Sequence, residues 1–71
     1  MSLEEASRQL ELAIHDARVA FDCIELEDTD RAHTNAITAR AALDAAETAL
    51  RHALTEEKNA KKPSMAGDDG G

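Results

Sequence analysis

The chain has 71 residues and a formal net charge of −7, with one aromatic residue, Phe21, and neither Trp nor Tyr. That length holds one domain at most, and the negative charge disfavours nonspecific binding to nucleic acid or to anionic membranes. The single Cys23 cannot form an internal disulfide, no apolar run reaches the roughly 18 residues that span a bilayer, and no signal peptide precedes the first helical stretch. A soluble, cytoplasmic chain is expected.

The first periodic stretch predicts a helix over about 3–26. Ser2 is a good N-cap, Glu5 three residues later completes a capping box, and Glu4 and Glu5 suit the positive end of the helix dipole. Ala6, Ala13 and Ala20 recur every seven residues beside Leu3, Leu10, Ala17 and Ile24, with Ile14 and Phe21 widening that stripe. Leu12, Val19 and Leu26 form a second line well round the cylinder. Together they cover a wider arc than one neighbouring helix needs. Leu12, Val19, Leu26, Phe21 and Ile14 are therefore the expected oligomer or partner interface.

The link Glu25-Leu26-Glu27-Asp28-Thr29-Asp30 lacks both Gly and Pro. Asp28 or Thr29 is the favoured N-cap of a second helix, which leaves a loop short enough for antiparallel neighbours. Fusion of the two helices into one rod is the alternative. The second helix is predicted over about 30–60, where Ala32, Ala39, Ala46 and Ala53 keep the seven-residue beat with Ala36, Leu43 and Leu50 interleaved. The expected hairpin seam is thus Ala6, Ala13 and Ala20 against Ala39, Ala46, Ala53, Leu43 and Leu50. Pro63 ends the helical part, so 1–62 reads as a helical hairpin and 63–71 as a flexible tail.

The charge is lopsided. Residues 1–30 hold nine carboxylates and two arginines, while residues 31–62 hold six basic side chains and four acidic ones. So few bulky residues cannot make an isolated hairpin stable, and a second copy is the default partner. The fold class is all-α: an antiparallel two-helix hairpin with an alanine-rich heptad seam, dimerising into a four-helix bundle.

No constellation supports chemistry. The histidines His15, His33 and His52 offer no pair four apart, although His15 and His52 are candidates to meet across the hairpin. Surface histidines are the simpler reading. Cys23 reads as a small half-buried hydrophobe. The acidic cluster Glu25, Glu27, Asp28 and Asp30 lacks the glycine turn and bidentate Glu of a calcium loop. There is no phosphate loop or nucleophile motif. No enzyme, cofactor or metal is expected, and without aromatic residues to stack bases, nucleic-acid readout is disfavoured.

In design the chain resembles the Rop family of plasmid copy-number regulators, dimers of hairpins with small residues in their seams. The resemblance is architectural and no functional residue carries over; RNA binding, which Rop-like proteins perform through one helix face, does not transfer to so acidic a first helix. In size and style the chain also resembles the small acidic accessory proteins that phages and mobile elements direct against host systems. The expected function is a small regulator or inhibitor that binds and blocks a larger host or cognate protein. Two alternatives are an oligomeric sponge for a small anionic ligand such as a cyclic nucleotide, anchored by Arg40, Arg51 and His52, and a structural assembly subunit.

Overall fold

The structure, a computed structural model, describes residues 2–61. It contains two α-helices, α1 (Ser2–Glu25) and α2 (Thr29–Lys61), and no strand among the described residues. The expected cap at Ser2 rests on a side chain outside the described set, as do the stop at Pro63 and the tail.

The reversal between the helices is tight and specific. Glu27 takes a left-handed conformation, φ 59°. Its amide donates to the Ile24 carbonyl at 2.9 Å, and the Asp28 amide reaches back to the Cys23 carbonyl at 2.8 Å. These nested bonds satisfy carbonyls that the end of α1 leaves without helical partners. Asp28 then caps α2: its Oδ1 accepts from the Arg31 amide at 3.2 Å, and its carbonyl accepts the first helical bond, from Ala32, at 3.0 Å. The Arg31 guanidinium also lies 3.6 Å from Asp28 Oδ2. One aspartate thus helps to close one helix and opens the next. The single-rod alternative is excluded.

The interior between the helices is built from the smallest apolar side chains. The buried residues are Ala6, Ala13, Ala20 and Cys23 on α1, and Ala32, Ala39, Ala42, Ala46, Ala49 and Ala53 on α2. On each helix they fall on two lines three and four residues apart, the two lines that face a neighbour in a heptad seam. Polar residues share those lines at half-buried positions. Gln9 Nε2 donates to Glu5 Oε2 at 2.9 Å, and Asn35 Nδ2 donates to the Arg31 carbonyl at 2.9 Å, so these polar groups are satisfied locally.

Leu43 and Leu50 do not join this seam. They are 51% and 39% exposed, and their expected places are taken by Ala42 and Ala49. The reason is steric. Helices in contact lie about 8–10 Å apart depending on the side chains between them, and a line of methyl groups permits the near end of that range. The backbone is turned so that the leucines stand on the flank.

Ala53 is the last buried residue described on α2, and residues 54–59 are all exposed. Counting back from the turn, Cys23 stands about level with Ala32, Ala13 with Ala42 and Ala6 with Ala49. The end of α2 therefore runs past the start of α1.

Candidate functional site

With alanine filling the seam, the larger apolar residues point outward. Eleven of them are exposed, from Leu10 at 38% to Leu26 at 78%. Their distribution round the two helices defines two unequal faces. In an antiparallel pair, the residue following a seam residue at 23 falls on the same side of the hairpin as the one following a seam residue at 42 or 49. One broad face therefore carries Leu3, Leu10, Ile14, Phe21 and Ile24 from α1 with Leu43, Leu50 and Leu54 from α2. Near the turn it forms an open groove in which Ile24 faces Ala32, His33 and Ala36, with Glu27 and Thr29 at its end. This groove shows directly that Ile24 and Ala36 share a side.

The opposite face is narrower. It carries Leu12 (48% exposed), the half-buried Val19 and Leu26, all on α1. The α2 residues on that side include Thr38, Ala45 and His52, so the apolar line runs along one helix only. The five residues expected at an interface are thus divided: Ile14 and Phe21 belong to the broad face, and Leu12, Val19 and Leu26 to the narrow one. The periodicity of the first helix already set these residues on two lines; which of the two flanks the second helix extends is decided only by the pairing.

The electrostatics are uneven too. α1 holds six carboxylates and two arginines, for a net −4, whereas α2 holds five charges of each sign. Arg8 binds Glu5 at 2.7 Å, Arg18 lies 3.8 Å from Asp22, and Arg51 clasps Glu47 with Nη2–Oε1 at 2.7 Å and Nε–Oε2 at 3.3 Å. Each pair lies within one helix. The hydrogen bond from Arg51 holds the Glu47 carboxyl below its ordinary range, and the carboxylate raises the guanidinium in turn. Both groups are fully exposed, so the pair is a solvated helix-surface contact.

The proposed anion anchors do not converge within one hairpin. Arg51 is engaged by Glu47, Arg40 lies eleven residues away along α2, and His52 points to the narrow face. His15 and His52 do not meet either, since His15 is level with Arg40 and His52 with the start of α1. His15 Nδ1 instead lies 3.3 Å from Asp16 Oδ1. Cys23 is buried in the seam, deeper than the half-buried setting its sequence position suggested. Among the described residues no group of three or more His, Cys, Asp or Glu is arranged to hold a metal, and no helix is long and apolar enough to cross a membrane.

Fold and surface together define an all-helical hairpin with a small-residue seam and an outward apolar face. Comparison of the chain with protein-family models, with curated proteins and with solved structures finds no match.

Proposed function

We propose that this chain is a small, non-enzymatic interaction protein: a self-associating helical hairpin that binds and blocks a larger protein. The observation that carries this reading is the inversion of side-chain size. Every buried residue described is Ala or Cys, while Leu, Ile and Phe stand exposed, all of them but Ile37 along two faces. A methyl group offers about 0.8 kcal/mol on burial, and a Leu or Phe side chain about 1.5–3 kcal/mol. Most of the available apolar stabilisation is therefore reserved for contacts outside the hairpin. Exposed apolar patches of this extent mark surfaces that meet other macromolecules.

The two faces suit two uses. The broad face, shared by both helices, matches the homodimer, and the two hairpins then form a four-helix bundle. The narrow line of Leu12, Val19 and Leu26 on the acidic helix stays outside that bundle and suits a protein target with an apolar groove and a basic rim. The control role follows from occupancy, since a small dimer seated on a larger protein's working surface excludes its usual ligand.

The test is a paired measurement on the full chain. Immobilised protein should retain a specific target from a lysate of its source cells, and Leu12→Glu combined with Leu26→Glu should abolish retention while sedimentation is unchanged. Retention that survives both substitutions would remove the narrow face from the binding surface. Stabilisation by an anionic nucleotide without any retained protein would transfer the function to ligand sequestration.

A further inference from the structure

We infer that the broad face is covered by a second copy with both turns at the same end of the bundle, so that α1 of each copy packs on α2 of the other. This rests on the self-association proposed above and adds its geometry. Two hairpins can stack their broad faces in two symmetric ways. With the turns together, α1 lies over the second copy's α2. With the turns at opposite ends, α1 lies over α1 and α2 over α2.

The length of the apolar strip decides between them. On α1 it runs the whole helix, from Leu3 to Ile24. On α2 the large residues occupy only the later part, Leu43, Leu50 and Leu54, while the earlier part of the same strip presents Thr29, His33, Ala36 and Arg40. End-over-end stacking sets Leu50 and Leu54 against the polar residues Thr29 and His33 of the other α2. Stacking with the turns together sets Leu50 between the levels of Leu3 and Leu10, and Leu43 between Leu10 and Ile14. Ala36 then falls beside Phe21, a small residue against the largest. Side chains that interleave in this way satisfy both helices along their shared length.

Charge points the same way. End-over-end stacking places two helices of net −4 side by side, whereas same-end stacking places each α1 over an α2 whose charges balance. The area is also sufficient. The large side chains of the broad face expose between 38% and 70% of their surfaces, so covering two such faces removes on the order of 1,500 Å² from water, the size of a stable interface.

The experiment is a spin-label distance in the full chain. Cys23→Ala removes the native thiol with a residue the seam already uses, and Glu25→Cys places a nitroxide on the exposed surface beside the turn; Asp30→Cys in the same background gives an independent position. The expected result is a dimer with a label-to-label distance of about 25 Å or less at both positions, about two helix diameters. A distance of about 35 Å or more, the length of α1 at 1.5 Å per residue, would overturn the same-end geometry while leaving the dimer. A monomer in sedimentation would overturn the inference entirely. A monomer that still retains a target through Leu12 and Leu26 would separate this failure from that of the interaction reading, and a same-end dimer that retains nothing would be the converse.

Discussion

Glu27 sits where glycine fits best. Its left-handed backbone, φ 59°, costs a residue with a Cβ roughly 1–2 kcal/mol, and its carboxylate lies at the negative end of the α1 dipole. Asp28 beside it offsets part of that cost by serving both helices. Glu27→Gly should therefore stabilise the protein by about 1 kcal/mol, which at this chain length raises the melting temperature by about 4–8 °C. A lower melting temperature in calorimetry would show that the Glu27 side chain makes a contribution the backbone cost does not reveal. The turn residues were partly legible. Asp28 could be read as an N-cap because its side chain type is specific for that role, but nothing about Glu27 in the sequence announces a left-handed residue.

At the scale of the helix, smallness is the property that matters. Ala46 is 1% exposed in the middle of the seam, whereas its neighbour Ala45 stands on the exposed narrow face. Ala46→Leu should destabilise the fold by about 1–3 kcal/mol through overpacking, while Ala45→Leu should stay within about 0.5 kcal/mol of the parent. Equal effects in denaturant unfolding would mean that the seam tolerates bulk and that its alanines are incidental. The two helices and the line Ala39, Ala46, Ala53 were readable from the seven-residue beat alone. The second line was not, because Ala42 and Leu43 are both neighbours of Ala39 on a helix surface, one at three residues and the other at four. Only the partner helix decides between them, and close approach selects the smaller. The same ambiguity on α1 hid Cys23, which occupies the seam while Ile24 takes the flank.

The whole molecule is unusual in where it spends its large side chains. A hairpin whose described buried residues are only Ala and Cys has a weak core of its own, and in the proposed dimer the second copy over the broad face supplies the rest of its stability. That face could not be found from either helix separately. Leu3, Leu10 and Ile24 meet Leu43 and Leu50 on one side only once the antiparallel pairing is known, and the uneven length of the strip on α2 has meaning only against α1. The most direct measurement of this account is sedimentation equilibrium of the full chain and of Leu43→Glu, combined with melting at several protein concentrations. The parent should sediment at twice the 7.6 kDa chain mass and melt at a temperature that rises with concentration, and Leu43→Glu should lose both the dimer and that dependence. A stable 7.6 kDa monomer whose melting is independent of concentration would contradict it.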